Sequence, residues 1–108
     1  MIKFEELEEI RLEHFNNGEG FVTAKMFKDD KVKIMRGTIK KGNSIGKHTH
    51  TDSCEIIYVL SGEAHIILDG KDEYVKPGEC HYCPKGSTHE MRNEHDEDLI
   101  SINIVPVQ

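Results

Sequence analysis

Residues 42–62 read GNSIGKHTHTDSCEIIYVLSG. His48 and His50 stand at i and i+2, so on an extended chain both side chains leave the same face. Their Cα atoms then lie roughly 6 to 7 Å apart. Two imidazoles at that separation can converge on one ion through metal–nitrogen bonds of about 2.1 Å. Glu55 follows His50 at an odd offset, which on one continuous strand sends its carboxylate to the opposite face. For Glu55 to join the histidines, the chain must break at Thr51-Asp52-Ser53-Cys54, and these are turn-forming residues. The stretch reads as part of a metal site, followed by a strand from Glu55 to Leu60 that is apolar on both faces.

Outward from this stretch the chain shows short runs at strand period, separated by turns. Phe21–Phe27 and Val32–Ile39 precede it, with Asp29-Asp30-Lys31 between them and Lys40–Asn43 after them. Downstream, Ala64, Ile66 and Leu68 alternate with His65 and Ile67, and Asp69-Gly70 is a strong two-residue hairpin signal. Further runs are Tyr74-Val75, Cys80–Cys83, Thr88–Arg92 and Leu99–Val105. Strands recurring with this punctuation predict an all-β sandwich or barrel. Residues 1–20 are different. Phe4, Leu7 and Arg11 among acidic residues predict a short helix or an irregular arm, ended by the turn cluster Asn16–Gly20.

The 108 residues predict one domain over 1–108. A net charge of −6 argues against nucleic acid as a partner, because that role rewards clustered Lys and Arg. No apolar run approaches the ~20 residues needed to span a bilayer. The acidic opening MIKFEELEEIRLEHF lacks the apolar stretch of a signal peptide, so a cytoplasmic location is expected. Three cysteines make poor disulfide evidence. Cys80 and Cys83 form a lone C-x-x-C in a strand-like run, which favours small buried or half-buried thiols over zinc or redox chemistry.

A fourth candidate ligand is His89, which reaches the site only if the sheet closes on itself. Here the sequence resembles the cupin superfamily. Gly42, His48, His50, Glu55 and Gly62 match its first motif over 42–62. Gly78, Pro84, Gly86, His89 and Asn93 match the second over 78–93, and the 15 residues between the motifs are similar to those of compact single-domain microbial cupins. The resemblance implies a jelly-roll β-barrel with one divalent transition metal ion per chain, held by His48, His50, Glu55 and His89, together with a small-molecule substrate and a homodimer. Three imidazoles and a carboxylate suit Mn, Fe, Co, Ni, Cu or Zn. Four protein ligands on a six-coordinate ion leave two positions for water, substrate or dioxygen, as in a catalytic site.

Other residues carry weaker signals. His65, Tyr58, Tyr82, Cys54 and Cys83 are candidates for supporting or acid–base roles, with packing or surface positions favoured for all of them. Tyr58 is at an odd offset from Glu55 and is expected to point away from the metal. His81 and Cys83 share a face, but the sequence does not fix which. Arg36 is balanced between binding a carboxylate substrate and lying in solvent. The leading expectation is a metal-dependent enzyme of the dioxygenase, decarboxylase, isomerase or lyase kind acting on a small polar molecule. The alternative is a metal-containing binding or sensor module without turnover.

Overall fold

The computed structural model describes residues 1–108 in full. Its ten strands are β1 (Glu9–Glu13), β2 (Phe21–Lys28), β3 (Val32–Ile39), β4 (Ser44–Thr49), β5 (Glu55–Ser61), β6 (Ala64–Leu68), β7 (Lys71–Val75), β8 (Cys80–Cys83), β9 (Thr88–Arg92) and β10 (Leu99–Pro106). They form a six-stranded sheet in the order β1-β2-β3-β10-β5-β8 and a four-stranded sheet in the order β4-β9-β6-β7. All pairings are antiparallel. The architecture is all-β, as the strand pattern predicts, and it is the jelly roll that the resemblance implies. No helix is long and apolar enough to cross a membrane.

Side-chain alternation explains how the sheets face each other. Ile57 and Val59 of β5, Ala64 and Ile66 of β6, Met91 of β9 and Leu99 of β10 point inward and are fully buried. With Val22, Ala24, Met35, Ile39, Ile45 and Val75 they make one apolar core between the sheets. The turns use side-chain chemistry as well. Asp29 Oδ1 accepts from the backbone N–H groups of Lys31 and Val32 and so closes the β2–β3 turn. Asp69 and Gly70 both have positive φ, 49° and 82°, as the tight β6–β7 hairpin requires. Asn93 is buried, and its amide donates to the carbonyls of Ile39 and Glu97, pinning the β9–β10 loop to the end of β3.

The N-terminal arm has short 3-10 turns at Phe4–Glu6 and Phe15–Asn17. Between them lies a strand that the sequence reading does not place. β1 pairs with β2 along its whole length, Glu9 opposite Lys25 and Glu13 opposite Phe21. Ile10 and Leu12 alternate with charged residues there, so the segment has strand period as well as weak helical period. A vacant sheet edge decides between them. After β1 the chain passes through left-handed backbone at His14, Asn16 and Asn17, with φ between 47° and 65°, a region that Asn and His tolerate better than most residues.

Candidate metal centre

His48 lies in β4 and His89 in β9, and the two are direct cross-strand partners. His50 follows β4, and its backbone is held by two bonds to the β8–β9 turn, N–H to Ser87 O and C=O from Gly86 N–H. The chain then leaves the four-stranded sheet at Thr51–Cys54 and enters β5 of the other sheet at Glu55. That change of sheet resolves the odd offset between His50 and Glu55. The carboxylate approaches the imidazoles from the facing layer.

The donor atoms converge. Glu55 Oε1 lies 3.0 Å from His50 Nε2, 2.9 Å from His89 Nε2 and 3.7 Å from His48 Nε2. His89 Nε2 is 3.1 Å from Nε2 of both His48 and His50. The far side of each ring is engaged. His48 Nδ1–H donates to Gly46 O at 2.7 Å, and His50 Nδ1 is 2.8 Å from Ser53 Oγ. His89 Nδ1 is 3.0 Å from His81 Nε2, and His81 Nδ1 is 2.7 Å from Glu73 Oε1. A carbonyl and a carboxylate only accept, so with neutral rings the protons sit on Nδ1 of His48, His81 and His89. The Nε2 lone pairs of His48 and His89 then face the same space as the Glu55 carboxylate. Lone pairs and a carboxylate crowded at these distances repel unless a proton or a cation lies among them.

Ring geometry separates the two kinds of histidine contact. The rings of His81 and His89 are within 23° of coplanar, with centroids 5.2 Å apart. That spacing exceeds their 3.0 Å nitrogen contact by about a ring diameter, so they meet end to end, as a linear hydrogen bond requires. Among His48, His50 and His89 the centroids are only 4.6–5.0 Å apart, at interplanar angles of 64–73°. Their nitrogens aim at a shared point instead of at one another. This donor set is able to hold a metal ion.

Electrostatics agree. Burial alone raises the pKa of Glu55, but the imidazoles of His48, His50 and His89 outweigh it and hold the carboxyl well below its usual range. Burial lowers His89 and keeps its ring neutral, the state in which it can bind a metal. For His48 burial is outweighed by Glu55 and the Gly46 carbonyl, so its pKa is raised. The other oxygen of Glu55 accepts from Asn103 Nδ2 at 3.0 Å, and Ser101 Oγ donates to Asn103 Oδ1 at 2.7 Å. Both partners are buried in β10. They orient the carboxylate.

A cavity of about 170 Å³ opens onto these donors. His48, His50 and Glu55 form its floor and Phe15, Met35 and Ile45 its apolar walls. Asn16 and Lys33 complete it. A larger open groove, about 540 Å³, runs past Glu19, Lys47, Glu90 and Arg92. Its charges are mixed in sign and none of the four donors lines it, so the smaller cavity is the chemically relevant one.

Several residues lie where the sequence left them undecided. Tyr58 and Tyr82 are exposed on the outer face of the six-stranded sheet. His65 points outward from β6, beside Asp72 and Glu94. All three cysteines are free. Cys54 and Cys83 are buried, whereas Cys80 is exposed, because the three-residue offset between Cys80 and Cys83 puts them on opposite faces of β8. Burial, then the charge of Glu55, pushes the Cys83 thiol up to about 11 and leaves it protonated. Arg36 is exposed and stands in solvent.

Two residues of the site escape sequence reasoning. His81 is buried against His89 instead of lying at the surface or merely packing. Its signal appears only with strand pairing, since His81 faces Ile57 and Cys83 faces Glu55 across β8–β5. Lys33 shares the inward parity of Met35, opposite to that of Arg36, yet a lysine between Val32 and Ile34 reads as a solvated strand residue.

Comparison with known proteins agrees with this architecture. The profile of the cupin domain family matches residues 35–105. An oxalate-binding protein from Thermotoga maritima is 26% identical over 111 residues, covering 97% of this chain and 92% of the relative. The crystal structure of a predicted oxalate decarboxylase from the same organism superposes with a TM-score of 0.93 at 24% identity, over 100% of this chain and 99% of that one. An RmlC-like cupin from Shewanella frigidimarina superposes with a TM-score of 0.79 at 20% identity, over 100% and 90% of the two chains. Fold and profile together show that the chain belongs to the cupin family.

Proposed function

We propose that this cupin is a metal-dependent enzyme acting on a small polar molecule, with His48, His50, Glu55 and His89 as the ligands of one divalent transition metal ion per chain. The observation that carries the reading is the convergence of four donors, three of which line a small cavity, each held by a partner on its far side. When bound, such an ion supplies Lewis-acid or oxygen-activating chemistry. The chain's own residues fix the tautomers of His48 and His89, orient the Glu55 carboxylate through Asn103 and wall the cavity with Phe15, Met35 and Ile45.

The name of the Thermotoga relative points to small carboxylates, oxalate first, as compounds to test. The same name speaks of binding, which supports a second reading in which the site captures a ligand without turnover. Elemental analysis of protein purified without added metal gives close to one ion per chain if the proposal holds, and His50→Ala lowers it. Full metal retention in that variant sinks the ligand set. Consumption of oxalate by the metal-loaded protein, lost on chelation, selects the enzyme. Saturable binding with no product selects the binding module.

We also infer a homodimer. The outer face of the six-stranded sheet carries Ile56 and Tyr58 of β5, Tyr82 of β8, and Ile102 and Ile104 of β10 in adjoining register. Tyr58 is 43% and Tyr82 54% exposed. An outer sheet face left to water ordinarily alternates to polar residues, and a contiguous apolar patch marks an interaction surface. A second copy of the same face, with its own Ile102–Tyr58 pair, is self-complementary by two-fold symmetry.

A further inference from the structure

We propose that the cavity above the metal donors takes a short dianion, one end of which meets the metal position while the other is held by the Lys33 ammonium. The inference rests on the metal-centre reading and deepens it by naming a second anchor and the ligand's charge and size.

Lys33 is the only Lys or Arg lining this cavity. It is half-buried, and no carboxylate lies within salt-bridge distance of it. The Lys and Arg side chains that do form ion pairs, those of Arg11, Lys40, Lys41 and Arg92, do so with acids at the surface. Its Nζ sits 5.4 Å from the Phe15 ring centroid, on the cavity wall. Burial, opposed by the charge of Glu55, lowers its pKa, the behaviour of a cation short of a counter-charge. A half-buried ammonium without an acid partner is costly, and an anion that enters the cavity removes the cost.

Charge and volume fix the class of that anion. A divalent ion, one carboxylate and three neutral imidazoles leave a single positive charge at the donors, and Lys33 adds a second in the cavity lining. A dianion neutralises both, whereas a neutral sugar or a monoanion leaves one exposed. The volume of about 170 Å³ is below the roughly 300–1,000 Å³ of pockets for drug-sized ligands, which limits the occupant to a handful of non-hydrogen atoms. Short dicarboxylates meet both conditions.

The test uses the metal-loaded full chain and two probes of nearly equal shape, oxalate and the monoanion oxamate, titrated calorimetrically. Wild-type protein binds oxalate more tightly than oxamate. In Lys33→Met the oxalate affinity falls by about ten- to hundredfold, the scale of a lost hydrogen bond to a charged group, while oxamate binding changes far less. Lys33→Arg restores the preference. The inference is overturned if Lys33→Met weakens both probes equally or neither, or if wild type binds neither. Metal content is measured on every sample. Absence of metal in reconstituted wild type fails the metal-centre reading itself, whereas retained metal with an unchanged oxalate preference in Lys33→Met fails only the role of Lys33.

Discussion

His81 and His89 meet end to end, with Nε2 of the first 3.0 Å from Nδ1 of the second, and Glu73 closes the line at His81 Nδ1. The partly exposed Glu73 carboxylate of β7 is thereby connected through a buried imidazole to a proposed metal ligand. Such outer partners fix the tautomer of a ligating histidine. His81→Phe keeps a planar ring in the space but removes the acceptor. Metal affinity is expected to fall by about 10- to 100-fold, with a smaller loss for Glu73→Gln. Competition with a chelator of known affinity reads this directly, and thermal unfolding of the metal-free proteins controls for stability. Unchanged affinity in His81→Phe rules the relay out.

The arm that seats Phe15 on the cavity depends on two glycines facing each other. A Cβ on Gly46 would lie 2.0 Å from Asn16 O and 2.6 Å from Gly18 N, and one on Gly18 would lie 2.2 Å from Ser44 O. Every one of these neighbours is backbone, so neither side can yield without moving the arm. Gly46→Ala is expected to cost about 1–3 kcal/mol, as overpacking does, and to expose residues 14–18 to proteolysis. Urea unfolding and limited digestion measure the two effects. An arm as protected as in wild type contradicts the close approach.

How much of this was legible in the sequence depends on how far each residue's signal travels along the chain. β3, β6, β8 and β9 have the predicted bounds because alternation and turn residues are local. His48, His50 and Glu55 were legible from spacing, and the turn residues between them foreshadow the change of sheet. His89 needed the resemblance, since the contact between β4 and β9 spans 41 residues. His81 and Lys33 were lost for one shared reason: strand alternation gives two faces, and only pairing says which is inside. β1 was ambiguous because EIRLE fits two periods, and the open edge of β2 is a tertiary fact.

The apolar outer sheet face makes a concentration-dependent prediction. Tyr58→Glu with Ile102→Glu puts like charges on paired positions of adjoining strands and, in a two-fold dimer, on both sides of the interface. The variant is expected to run as a monomer by light scattering at concentrations where wild type is a dimer. Tyr58 is exposed and Ile102 half-buried, both on the face opposite the buried Ser101 and Asn103, so the core and donors are untouched. A wild-type protein that is monomeric throughout removes the dimer proposal.

His65 gives a pH dependence of stability with a definite sign. Its ring is 12% exposed and stacks on Tyr74, with Nε2 2.8 Å from Asp72 Oδ1 and Nδ1 3.0 Å from Glu94 Oε1, off the axis of a true hydrogen bond. Arg92 is its cross-strand partner on β9. Burial opposes charging, but the Asp72 and Glu94 carboxylates outweigh it, and the pKa is raised in the folded state. A raised folded pKa means that the protonated ring contributes stability fully below the unfolded value of about 6.5. That contribution is lost as pH rises through the folded pKa. His65→Gln keeps a polar side chain but has no charge to lose. Its deficit against wild type is expected to be largest near pH 5.5 and to shrink toward pH 9. Urea midpoints at both pH values test it, and a deficit that is constant or grows with pH shows that His65 is not held as a cation.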